Sequence, residues 1–154
     1  MRIPKIALGL MLIMVGAHAA DAATANAVFS GSILSTCVLT VGTPGVMTAD
    51  SGYSGLSSDN ASGVESTVSA LVTGGTFNVS AIAPSAFTLG DSSNVSFVTD
   101  YTLTGAATAS DVAGATTTAI PAGVTNVSVD LAATKSTGTF AAGVYAATVI
   151  VRCE

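Results

Sequence analysis

Hydrophobic and polar positions alternate along most of this chain. Over residues 28–41, Phe29, Gly31, Ile33, Cys37, Leu39 and Val41 share one parity. Ser30, Ser32, Thr36 and Thr40 hold the other, interrupted by Val28, Leu34 and Val38. A period of two is what a strand with one buried face produces. A long first strand is therefore predicted, ended by the turn residues Thr43-Pro44-Gly45. Near the other end, Tyr145, Ala147, Val149, Val151 and Cys153 share a parity, while Thr148 and Arg152 face away. This predicts a last strand over 144–153. On this reading Phe29, Gly31, Ile33, Tyr145, Val149 and Val151 are core and strand-pairing residues.

Between these ends the same pattern predicts strands over 64–73, 76–82, 95–103 and 124–132. Gly74-Gly75 suggests a tight hairpin between the first two of these. Residues 46–63 read as a polar loop with room for a short edge strand, and 105–123 as the least specified connection. The residues that fill surface helices are scarce, and no stretch beyond residue 20 has a 3.6 period. The fold class is all-β, a sandwich of about six to eight strands, with a small barrel as the alternative.

The first twenty residues break the pattern. Arg2 and Lys5 precede an uncharged apolar run over 6–17, and Ala17-His18-Ala19 has the small-x-small form of a signal peptidase site. The domain reading is a signal peptide at 1–20, an N-terminal extension at 21–27 and a β-sandwich domain at 28–154. The apolar run falls short of the ~20 residues that span a bilayer, and no integral membrane span is expected.

Charge changes the picture next. The whole chain has a formal charge of −5. After the leader, only Lys135 and Arg152 remain against nine acids, so two cations less nine acids give −7. A phosphate-tracking nucleic-acid partner needs basic stripes, which are absent. The one histidine, His18, lies in the leader. The commonest general base and metal ligand is thus missing from the exported part.

Cys37 and Cys153 are the only cysteines. Export places them in an oxidising compartment, where a pair forms a disulfide. Both fall on the apolar parity of their strands, so both side chains point inward. A bridge across this loop contributes about 4–5 kcal/mol in the chain-entropy account. No CxxC occurs to make the pair a redox motif.

The segment Phe29-Ser30-Gly31-Ser32-Ile33-Leu34-Ser35-Thr36-Cys37 resembles the first strand of bacterial chaperone–usher pilins and of spore-coat-U-like secreted proteins. Gly143-Val144-Tyr145-Ala146-Ala147-Thr148-Val149-Ile150-Val151 resembles their closing strand. The resemblance implies an immunoglobulin-like, pilin-like sandwich completed by the N-terminal extension of a neighbour. It also implies a periplasmic chaperone and usher as partners. Typical pilins place the second Cys on the second strand, whereas here it lies at the C-terminus. A first-to-last bridge is equally compatible with a sandwich that needs no donor. The segment 21–28 is also small-chained for a donor, with Ala at 22, 23, 25 and 27.

Candidate chemistry is thin. Lys135-Ser136 is the only Ser–Lys option, in a polar turn where a solvated lysine is the simpler reading. Asp50, Asp59, Glu65, Asp91, Asp100, Asp111 and Asp130 are spread singly, with nothing to pair them for glycoside hydrolysis. Asp50, Asp59, Asn60 and Asp91 lie in loops able to offer calcium oxygens, but without a dense ligand spacing. No cofactor, metal or catalytic residue is assigned. Asn60, Asn78, Asn94 and Asn126 open Asn-x-Ser sequons; in a bacterium they read as strand and turn residues. Tyr145 reads equally as a corner tyrosine or a core aromatic. The functional expectation is a non-enzymatic structural or adhesive subunit of a bacterial surface assembly, exported through the periplasm and self-associating by strand-edge pairing. The alternative is a monomeric secreted or periplasmic binding module using loops 46–63 and 105–123.

Overall fold

The computed structural model describes residues 22–154. The leader read at 1–20 lies outside them. The chain divides into two units, Met1–Gly31 and Ser32–Glu154. Within the first, residues 22–31 hold no helix or strand and are exposed.

The second unit is all-β, and no helix occurs among the described residues. Its strands are β1 (Thr36–Val41), β2 (Thr48–Ala49), β3 (Gly55–Ser57), β4 (Ser66–Thr73), β5 (Phe77–Ile82), β6 (Val95–Gly105), β7 (Ala109–Ala113), β8 (Thr118–Ile120), β9 (Gly123–Lys135) and β10 (Ile150–Cys153). All pairings are antiparallel. The 13-residue β9 organises a seven-stranded sheet. Along one edge β9 pairs first with β4 and then with β3; along the other it pairs with β6. β1, β2 and β7 lie outside β4, β3 and β6. A three-stranded sheet, β10-β5-β8, is separate.

Alternation gives each strand one inward face, and these faces meet. Val68, Ala70 and Val72 of β4, Tyr101 and Leu103 of β6, and Val127 and Val129 of β9 pack against Val79 and Ala81 of β5 and Ile120 of β8. This two-sheet arrangement is consistent with a β-sandwich. Polar groups also tie the sheets. The buried Tyr101 hydroxyl donates to the Thr116 carbonyl at 2.8 Å and shares a 2.7 Å hydrogen bond with Thr118 Oγ1. Thr99 Oγ1 donates to the Ala81 carbonyl at 2.6 Å. Gly114 joins the two backbones, its N–H donating to Thr99 at 2.7 Å and its carbonyl accepting from Ala81 at 2.8 Å.

The first strand is shorter than its alternation suggests. It begins at Thr36 because its partner ends there: Thr36 pairs with Thr73, the last residue of β4. Gly74, at φ 66°, then turns the chain into the other sheet. Thus Gly74-Gly75 is a crossover between sheets and not the expected hairpin. Phe29 and Ile33, read as core residues, are 92% and 83% exposed and, with the exposed Gly31, lie outside β1. The expected last strand is also cut back. Only 150–153 pair with β5, and Ala146 makes a separate bridge to Leu89. The segment 46–63, read as a loop with a short edge strand, holds two short strands, β2 and β3, and the connection 105–123 holds β7 and β8.

The second sheet is too short to cover the first. Its strands have 4, 6 and 3 residues against 11 and 13 in β6 and β9. Beyond its end a smaller core forms around Leu56, Phe87, Ala133 and Phe140. Phe87 packs edge-on to Phe97 and Phe140, with centroids 4.8 and 6.0 Å away. Such arrangements suit the ring quadrupoles. Tyr145 completes the cluster 5.2 Å from both Phe87 and Phe140.

Candidate functional site

The mismatch between the sheets leaves a groove of about 530 Å³. Val68, Val129 and Leu131 form its floor on the inner face of β4 and β9. Val41 and residues 44–47 form one wall, and residues 145–149 with Val151 form the other. Ser58 and Ser66 lend hydroxyls, and no charged residue lines it. β1 pairs only with β4, and β10 only with β5, so each is a sheet edge with one side open. Open edges present unpaired backbone donors and acceptors.

One wall carries the more specific signal. Ala147 and Val149 are half-buried, yet among the described residues the backbone of 147–149 makes no hydrogen bond. Backbone donors and acceptors without protein partners are open to pairing with another chain. An added strand supplies such partners directly.

Cys37 and Cys153 form a disulfide with a Cα–Cα separation of 6.4 Å. It joins β1 of one sheet to β10 of the other, at one end of the groove. Tyr145, Val149 and Val151, expected in the core, are half-buried and line the groove wall. The Tyr145 hydroxyl donates to the Ala141 carbonyl at 2.9 Å while its ring packs in the aromatic cluster. It therefore combines both roles that its sequence position left open.

Other candidate groups are occupied by local structure. Lys135 donates to Asp91 at 3.0 Å and to the Ser93 carbonyl at 2.9 Å, with its ammonium 5.4 Å from the Phe140 ring. Hydrogen bonds from Ser93, then from Lys135, hold the Asp91 carboxyl down to about 2. Asp50 accepts from the N–H groups of Gly52 and Ser54, each at 3.0 Å, and so caps its own turn. Asn60 donates to the Thr48 carbonyl at 2.7 Å.

One cluster of acids was invisible in the sequence. Asp130 lies directly across from Asp100 on the paired strand. Burial pushes the Asp130 carboxyl above its usual range; the Ser58 hydrogen bond opposes this, and the charges of Asp59 and Glu65 add to it. Ser58 Oγ donates to Asp130 at 2.8 Å and accepts from the Leu131 N–H at 3.0 Å. Among the described residues no group of three His, Cys, Asp or Glu side chains is placed to hold a metal ion. Nor is any helix among them long and apolar enough to cross a membrane. Phe87 and Phe140 were also missed; each stands alone among small residues, with no neighbouring pattern to assign it inward.

Comparisons of this chain with protein-family models, with curated proteins and with solved structures find no match.

Proposed function

We propose that this chain is a non-enzymatic structural or adhesive subunit of a bacterial surface assembly, pilus- or coat-like. Copies join when the extended N-terminal segment of one adds as a strand to the groove of the next. The observation that carries this reading is the groove wall at 147–149, where Ala147 and Val149 are half-buried, Thr148 is exposed, and the backbone makes no hydrogen bond among the described residues. Main-chain hydrogen bonds supply the affinity in such strand addition, and alternate side chains set the register.

The segment offered is apolar and exposed, with Val28, Phe29, Ile33 and Leu34 all large and solvent-facing. Residues 22–35 carry no charge, and neither does the groove lining. Copies of an acidic chain thus meet where their charges do not oppose contact. The immunoglobulin-like topology, the periplasmic route and a chaperone and usher as partners belong to the same reading. The disulfide supports it, since such bonds persist in oxidising compartments.

The test is size-exclusion chromatography of the chain beginning at Asp21 against one beginning at Ser32. Oligomers of the first and a monomer of the second are expected. A folded monomer in both cases refutes the proposal. It then favours a secreted or periplasmic ligand-binding module, because the groove volume falls within the roughly 300–1,000 Å³ of small-molecule pockets.

A further inference from the structure

We infer that the outer face of the seven-stranded sheet, away from the core, carries a separate contact between copies, face to face at its uncharged end, which pairs rows of copies side by side. The contact stands on its own observations; only the pairing of rows rests on the strand-addition reading above.

Register builds the surface. Val38 of β1 lies directly across from Leu71 of β4, and Leu71 across from Val124 of β9. Their neighbours Cys37, Leu39, Ala70, Val72 and Thr125 face the core, so these three point outward. They are 53%, 46% and 50% exposed. Scattered exposed apolar side chains are ordinary, but three abreast on adjacent strands form a continuous ridge. Thr36 and Thr73 flank the ridge on one side, and Thr40, Ser69, Asn126 and Thr104 on the other. None of these carries charge.

Charge selects the occupant and its orientation. The acids of this face gather at its far end, where Asp130 lies across from Asp100, with Asp59 and Glu65 close enough for their charges to act on it. Asp130 follows Val124 by six residues on β9, about 20 Å along the strand. A second copy brings the same excess of acid, so it packs closely only where charge is missing. The ridge, apolar and neutral, complements itself. A twofold axis along the ridge sets Val38, Leu71 and Val124 against their counterparts and sends the two acidic ends in opposite directions. The axis along the strands would instead stack Asp100 and Asp130 on their own copies, about 10 Å away across packed sheets, where they repel.

Area sets the strength. The contact covers four strands spaced about 4.8 Å apart and about six residues of each, roughly 400 Å² per copy. Both copies together bury roughly 800 Å², below the roughly 1,200 Å² of a stable complex. A lone pair is therefore weakly held, in keeping with the monomer expected of the chain that begins at Ser32. In a row each copy offers the same face, and linked weak contacts act together.

The test places single cysteines on this face of the exported chain with its native bridge intact. Leu71→Cys lies on the ridge; Val98→Cys lies on the same face past the acids, where Val98 pairs with Ala132. Both positions are outward and comparably exposed, at 46% and 56%, so both variants keep the core. On treatment with a short bis-maleimide at high protein concentration, Leu71→Cys should give at least about tenfold more cross-linked dimer than Val98→Cys. Equal yields, or no dimer through Leu71→Cys, overturn the contact; the face then meets another partner or only water. In electron micrographs, Leu71→Asp should convert paired rows into single rows. Rows that are single without the substitution, or still paired with it, overturn the pairing. Absence of any rows overturns the strand-addition reading, and the cross-linking yields still decide the face contact.

Discussion

Two buried hydroxyls on neighbouring strands should respond in opposite directions to the same chemical deletion. Tyr101 on β6 and Thr125 on β9 are 1% and 0% exposed. The Tyr101 hydroxyl meets Thr116 O at 2.8 Å and Thr118 Oγ1 at 2.7 Å, with Val79 O at 3.2 Å. Among the described residues Thr125 Oγ1 has no partner. Tyr101→Phe removes the single hydroxyl proton, leaving the Thr116 carbonyl without that donor and Thr118 Oγ1 without its partner, at a cost of about 1–3 kcal/mol. Thr125→Val keeps the branched shape and removes a hydroxyl desolvated without compensation, so it should stabilise by about 1 kcal/mol. Strand propensity does not oppose the change, since Val and Thr both favour strands. Urea unfolding of the oxidised protein reads both as shifts of the midpoint at constant slope. Loss of stability in both variants, or a slope change that accounts for the shift, would refute the argument that partners decide the sign.

The remaining expectations concern the bridge, the sheet crossing and the acids. Replacing Cys37 and Cys153 together by Ala opens a loop of sequence separation 116, and unfolding should show a loss of about 4–5 kcal/mol. A loss below about 1 kcal/mol would mean that the unfolded chain gains little freedom. At Gly114 a Cβ would run into Thr99 and the Ala81 carbonyl, so Gly114→Ala should cost about 2–3 kcal/mol or part the sheets, seen in melting temperature and near-UV dichroism. The Asp130 carboxyl binds its proton more tightly in the folded chain than in the unfolded one. Its contribution is therefore fully present below the unfolded value and is lost as pH rises through the raised folded value. Asp130→Asn should raise stability at neutral pH and flatten the pH dependence just above the ordinary carboxylate range. Asp91, held at about 2, acts with the opposite sign: its contribution is present above the ordinary value of 3.8 and fades as pH falls through about 2.

Alternation alone located the inner faces of β4, β5, β6 and β9, because a half-buried strand needs little beyond its own residues to announce which side is apolar. It also located both cysteines on inward parities. It failed where pairing depends on a partner's length. Residues 28–35 alternate as well as β1 does, but β4 stops at Thr73 and leaves them outside the sheet. Residues 144–149 alternate as well as β10 does, yet β5 pairs only with 150–153. The groove itself is a difference in extent between two sheets, and no local pattern encodes it. The Asp100–Asp130 juxtaposition is a register between strands far apart in sequence, equally unreadable from either strand alone.

The position of the bridge has a mechanical corollary. In a row of copies joined as proposed, tension enters each body through the segment before β1 and leaves through the wall that grips the next copy. Cys37 stands one residue into β1, and Cys153 ends β10, which runs on from that wall. The pull therefore has a covalent path from entry to exit through the sulfur link, beside the intervening ladders. Such a row would stretch like a chain of rigid links, yielding at its joints long before any link unravels.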